Sequence, residues 1–208
     1  MEFVLLEVGA DDYTLIQNMI RFYIYDMSEY TGWKCPLNGL FGGVDDLDYY
    51  FGRIPQDPNN RWPDGWSGQG FKIVVEDEIA GFCLVRIFKK GDTYRYDIGE
   101  FFILRKFRGK NLGKQVAHAM FDRYCGKWQV RQMLDNRPAQ MFWRKVISDY
   151  TKGVFEERTE FFPEYQCEFI VQRFQSPMTK LTVEKKKEGE CNQVIWAKNQ
   201  TPYRESGA

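Results

Sequence analysis

Apolar positions change their period along this chain, and the changes mark out its elements. Phe3 to Val8 reads as a first strand, after which Asp11 caps a helix in which Leu15, Ile16, Met19, Ile20 and Tyr23 recur at helical spacing. From Tyr30 to Gly70 the pattern dissolves into Gly, Pro, Asn, Asp and aromatics, predicting one short helix over Asp45 to Phe51 and a long loop through Pro55 to Gly70. The β-rich runs Phe71 to Val75, Ile79 to Phe88 and Tyr94 to Leu104 are separated by Glu76-Asp77-Glu78 and Lys90-Gly91-Asp92, and predict an antiparallel meander. The segment Arg108-Gly109-Lys110-Asn111-Leu112-Gly113 then leads into a helical pattern reaching Tyr124, with Val116, Ala119 and Met120 along its faces. Trp128 to Leu134 reads as a strand, and Pro138 suits the first turn of a helix ending near Ile147. Val154 to Glu160 and Glu168 to Phe174 predict a closing hairpin around Phe162-Pro163-Glu164, so the order is β-α-α-βββ-α-β-α-ββ.

Past Ser176-Pro177 the chain turns polar, with Glu184-Lys185-Lys186-Lys187-Glu188 and one apolar island, Val194-Ile195-Trp196. Residues 1–175 are therefore expected to form one domain, with 176–208 a polar extension that is either flexible or adds one strand. Lys plus Arg equals Asp plus Glu at 29 each, so no global field argues for nucleic acid or an anionic membrane. There is no apolar stretch of about 18 residues, and the acidic N-terminus is too short for a signal peptide, so a soluble cytoplasmic protein is expected. The five cysteines are odd in number, widely spaced and joined by a single histidine, His118, which supports neither a disulfide framework nor a metal site.

A strand that turns through glycines into a helix start makes an anion cradle, because unpaired backbone N–H groups and the helix dipole converge there. With its flanks, this loop resembles motif A of the GNAT superfamily of acyl-CoA-dependent N-acetyltransferases, Q/R-x-x-G-x-G/A, at Arg108, Asn111 and Gly113. Phe102-Ile103-Leu104-Arg105-Lys106-Phe107 stands where that family ends its fourth strand. Asn136, Ala139, Phe142 and Lys145 follow its N-x-x-A-x-x-F-Y-x-K helix motif. The resemblance covers roughly Phe71 to Phe174 and implies a mixed, mostly antiparallel sheet of six to seven strands flanked by helices, an α/β fold of the α+β kind. It also implies transfer of an acetyl group from acetyl-CoA to an amine of a small molecule or protein, by direct attack in a ternary complex.

On that resemblance, Arg108, Gly109, Lys110, Asn111, Leu112, Gly113 and Lys114 would hold the coenzyme pyrophosphate. Ile103 and Leu104 would pair with its pantetheine arm, and Asn136 would meet the same arm. Asn111 replaces the family's first glycine, which is tolerable because Asn visits positive φ more readily than other non-glycine residues. Trp143 stands where many members carry an acidic tyrosine, and an indole N–H cannot serve at physiological pH. A thiol of pKa near about 8.5 is nonetheless a fair leaving group without help. Tyr150 is a candidate substitute acid, or else a packing aromatic. A primary amine must lose a proton before attack, and Glu100 is the candidate base: alternation puts it on a face with Ile98 and Phe102, where apolar neighbours raise a carboxyl pKa. The other reading of Glu100 is a surface or salt-bridged residue on a strand.

Tyr23, Tyr25, Asp26, Tyr30, Trp33, Asp45, Asp46, Asp48, Tyr49 and Tyr50 offer carboxylates among aromatics for a cationic acceptor, with Arg61-Trp62-Pro63-Asp64-Gly65-Trp66 a candidate lid. The competing function is a non-catalytic acyl-CoA-binding or regulatory module that kept the loop and lost the acid. Oligomeric state stays open, a homodimer included.

Overall fold

Local turn chemistry builds the meander at the centre of the sheet. Glu76 and Asp77 both adopt positive φ, 49° and 63°, so a two-residue turn closes a hairpin whose twist matches its strands. A computed structural model of the chain describes residues 1–42, 46–53, 65–91, 93–176 and 193–195. Its strands are β1 (Val4–Glu7), β2 (Trp66–Val75), β3 (Glu78–Lys90), β4 (Thr93–Ile103), β5 (Lys127–Met133), β6 (Glu156–Phe162), β7 (Cys167–Gln175) and β8 (Gln193–Ile195). The helices are α1 (Tyr13–Thr31), α2 (Leu112–Arg123) and α3 (Arg137–Thr151). The described strands form one sheet in the order β6-β7-β5-β4-β3-β2-β1-β8, antiparallel throughout except for the β4–β5 pair.

This is the expected mixed, mostly antiparallel α/β sheet, one strand larger because Gln193–Ile195 of the extension pairs with β1. β2 starts at Trp66 rather than Phe71, since its ladder with β3 already begins at Trp66↔Phe88 within the stretch expected to be loop. The helix expected over Asp45 to Phe51 is a 3-10 turn at Leu47–Phe51, with Asp45 outside the described residues.

Helices cover both faces. On one, Leu112, Val116, Met120 and Phe121 of α2 and Val146 and Ile147 of α3 bury against Phe71, Ile73, Val85, Ile98 and Trp128. On the other, Ile16, Met19 and Ile20 of α1 and Leu47 and Tyr50 of the 3-10 turn bury against Phe82, Leu84 and Phe102. Each such side chain contributes roughly 1.5–3 kcal/mol of transfer free energy, offset by the entropy of ordering the chain. No described helix is long and apolar enough to cross a membrane.

Two irregularities interrupt β4. Its parallel register with β5 runs from Arg95↔Lys127 to Ile98↔Val130 and stops there, although both strands continue, so the sheet splays open. Its register with β3 slips between Leu84↔Glu100 and Val85↔Ile98, which makes Gly99 the extra residue of a bulge. A Cβ at Gly99 would sit 2.2 Å from the Tyr50 hydroxyl, so only glycine fits this crossing.

Candidate active site

The expected cradle forms at the start of α2. Gly109 and Asn111 take left-handed φ values of 75° and 64°, which turns the chain sharply out of the Arg105–Phe107 3-10 turn into the helix. The Arg108 N–H donates to the Arg105 carbonyl and the Gln115 N–H to that of Asn111. Among the described residues the N–H groups from Gly109 through Lys114 have no backbone carbonyl partner, as the first turn of a helix dictates. Side chains add less charge than the sequence suggests. Lys114 pairs with Asp149 at 2.5 Å, while Arg108 folds back, donating to the Ile103 carbonyl at 2.6 Å and to Asp26 at 2.7 Å. Lys110 is exposed at the loop tip.

A second feature is the open edge of β4 beyond Ile98. The Leu104 N–H donates to the Ala80 carbonyl of β3 and its own carbonyl accepts from Phe107, so both backbone groups of Leu104 are spent. Strand alternation then turns the backbone groups of Phe101 and Ile103 away from β3 and into the splay. The groups able to pair with an extended ligand are thus the N–H and carbonyl of Phe101 and the N–H of Ile103, whose carbonyl already accepts from Arg108, rather than those of Ile103 and Leu104.

Between the splayed strands lies a cavity of about 370 Å³. Phe101, Ala139, Trp143 and Asn136 line its α3 side, and Tyr23, Met27 and Trp33 of the α1 region line the other. Asn136 is 8% exposed and caps α3, its Oδ1 accepting from the Ala139 N–H at 3.0 Å. Trp143 is buried and packs edge-on to Phe101, with ring centroids 5.2 Å apart, so it shapes the wall.

Glu100 lines the same cavity, although not on the face that alternation alone predicts. The bulge at Gly99 separates it from Ile98: Ile98 packs under α2 and α3, whereas Phe102 packs under α1. Glu100 shares a side with Phe102 only. Burial pushes its carboxyl up to about 7, against the Arg86 and Arg131 guanidiniums and a hydrogen bond donated by Tyr23, which all favour the charged form.

Around Glu100 stands a polar network that hydrophobic periodicity does not reveal. Arg86 donates from Nε to the Tyr50 hydroxyl at 2.9 Å, from Nη1 to the Tyr165 hydroxyl at 3.0 Å and from Nη2 to Asp46 at 3.2 Å. Asp97, 2% exposed, lies 4.0 Å from Arg86 Nη1 and 2.7 Å from Arg131 Nη2. The available signal was a carboxylate, Asp97, amid an apolar strand, with Arg86 and Arg131 in the strands that became its neighbours.

Other candidates do not meet at the cavity. Tyr150 donates its hydroxyl to Asp122 at 2.8 Å and packs on His118 and Phe121, a corrected placement for a candidate acid, because the C-terminal end of α3 lies away from the splay. Of the expected acceptor residues, Tyr23, Trp33 and Asp46 line the cavity, but Asp26 pairs with Arg105 and Arg108 instead. Asp45 and Arg61 to Asp64 of the candidate lid lie outside the described residues. No group of three or more His, Cys, Asp or Glu among the described residues could hold a metal ion.

Solved structures share this fold. Arabidopsis thaliana Naa50, in complex with the bisubstrate analogue CoA-Ac-MVNAL, superposes with a TM-score of 0.53 over 84% of this chain and 99% of that one, at 13% identity. Aminoglycoside acetyltransferase AAC(6')-Ib in complex with coenzyme A gives 0.50 over 83% and 94%, at 15% identity. At such identities the likeness is one of fold. No curated protein matches the sequence. The family model described as "Acetyltransferase (GNAT) family" matches residues 44–147, which takes in the meander, the cradle and α3 up to Ile147. A helix-start cradle beside a strand that splays from its neighbour, matched by that model across half the chain, places this protein in the GNAT family of acetyltransferases.

Proposed function

We propose that the protein transfers the acetyl group of acetyl-CoA to a primary amine by direct attack in a ternary complex, with Glu100 taking the amine proton. The observation that carries this reading is Glu100 itself, a carboxyl pushed up to about 7 in the cavity at the splay. A base poised near neutral pH is matched to removing a proton from an amine at that pH. The remaining residues fit the cosubstrate. The N–H groups of Gly109 to Lys114 suit the pyrophosphate, and the open backbone of Phe101 and the N–H of Ile103, with Asn136 opposite, suit the amide-bearing arm and the thioester oxygen. In the step itself the amine nitrogen bonds to the acetyl carbon, the C–S bond breaks, and the proton passes to Glu100. A thiol of pKa near about 8.5 departs as the thiolate, so Trp143 in the wall removes no obligatory acid. Residues 1–175 are proposed as the catalytic unit, with 176–208 an extension of it.

Thiol release on mixing the protein with acetyl-CoA and a panel of small-molecule and peptide amines tests the reading. Glu100→Gln should lower kcat/KM at least roughly 100-fold while leaving stabilisation by acetyl-CoA intact. Stabilisation by acetyl-CoA with no turnover on any amine would favour a non-catalytic acyl-CoA-binding module instead.

A further inference from the structure

Two guanidiniums line the cavity, and they are not equivalent. Arg86 is spent: Tyr50, Tyr165 and Asp46 take its nitrogens, which fixes the wall. Arg131 is equally sheltered, its side chain 10% exposed, but Asp97 is the one carboxylate within ion-pair range of it among the described residues, held by Nη2 alone. Its Nε and Nη1 have no acceptor among the described residues. The group is nevertheless fixed in place, because its guanidinium lies over the rings of Phe162, Tyr165 and Phe169 at 4.9, 5.4 and 5.9 Å. A buried, oriented cation with open donors is costly unless a ligand completes it.

What completes it must be an oxyanion on the acceptor side. Arg131 follows Val130, whose side chain packs under α2 and α3, so alternation sends Arg131 to the opposite side of the sheet, where Glu100 also stands. Asn136, Ala139 and Trp143, which face the proposed coenzyme arm, belong to α3 on the other side. The cavity thus offers its acceptor two opposite poles, a proton-accepting carboxylate and a cationic donor. From this placement, and resting on the acetyl-transfer reading, we propose that Arg131 receives a carboxylate carried by the acceptor, which is a small amino acid-like molecule bearing both an amine and a carboxylate. A cavity of about 370 Å³ that must also admit the acetyl end of the cosubstrate suits an acceptor of that size.

The test compares amino acids with the amines that remain when their carboxylate is removed, and with their carboxamides, in both turnover and equilibrium binding to the protein loaded with coenzyme A. The acids should exceed their decarboxylated partners by roughly tenfold or more in kcat/KM, and Arg131→Gln should bring that ratio near one. Arg131→Lys, which keeps the charge and loses the planar fork, should retain part of the preference. Stabilisation by coenzyme A checks that each variant is folded. Equal or better turnover of the carboxylate-free amines, or a preference that survives Arg131→Gln, overturns the proposal and leaves acetyl transfer standing. Amino acids that bind in an Arg131-dependent way, in a protein that acetylates no amine, would support the carboxylate site and sink the transferase reading.

Discussion

Glu100, as the proposed base, would tie stability to function through one side chain. Its carboxyl is pushed from the usual 4.5 to about 7, so between those values the folded protein keeps a proton that the unfolded chain has lost. Stability contributed by this group is therefore full below about pH 4.5 and declines as pH rises through about 7, the reverse of a salt-bridged carboxylate. Glu100→Gln cannot ionise, and should exceed the wild-type protein by on the order of 1–3 kcal/mol at pH 8, with the gap closing toward pH 4.5. Urea unfolding at both pH values measures it, and a variant less stable at pH 8 would remove the buried-charge account. Activity should run the opposite way, with kcat/KM rising to a plateau around an apparent pKa near 7. As the proposed base, Glu100 would need the charged form that folding disfavours.

At the scale of elements, the loop before α2 is set by local chemistry and was legible for that reason. A strand, a glycine turn and a helix start follow one another in sequence, and Asn111 adopts the positive φ its side chain tolerates. Asn111→Gly should preserve both fold and coenzyme affinity, whereas Asn111→Val should cost about 1–2 kcal/mol in thermal denaturation and weaken coenzyme binding by titration. A Val variant as stable and as tight as wild type would show that the positive φ is dispensable. The bulge in β4 was not legible. It depends on where Leu84 and Val85 of β3 fall in register and on the Tyr50 hydroxyl crossing Gly99, contacts that span dozens of residues. Because a one-residue slip reverses faces, that missed bulge misplaced Glu100 relative to Ile98. The Arg86–Asp97–Arg131 network was not legible for the same cause, since its members come from three different strands. Tyr150 failed in the other direction: its place in the last turn of α3 puts it at the end of the helix that does not meet the cavity, which periodicity does not reveal.

At the scale of the whole molecule, the order of strands and helices came through because each hydrophobic period is local, while the position of the extension did not. Residues 193–195 take the outer edge of β1, covering backbone groups that would otherwise invite another chain. The opposite situation holds at the centre, where β4 and β5 part after Ile98↔Val130. A bound acyl-CoA whose arm lies along Phe101 and Ile103 would act there as a missing strand, supplying rungs that the polypeptide leaves out. Amide hydrogen exchange at Phe101 and Ile103 should slow at least roughly tenfold on adding coenzyme A, while amides of the β2–β3 ladder hold their rates. The sheet of this protein would then be finished by its own cosubstrate, and each turnover would end by taking it apart again.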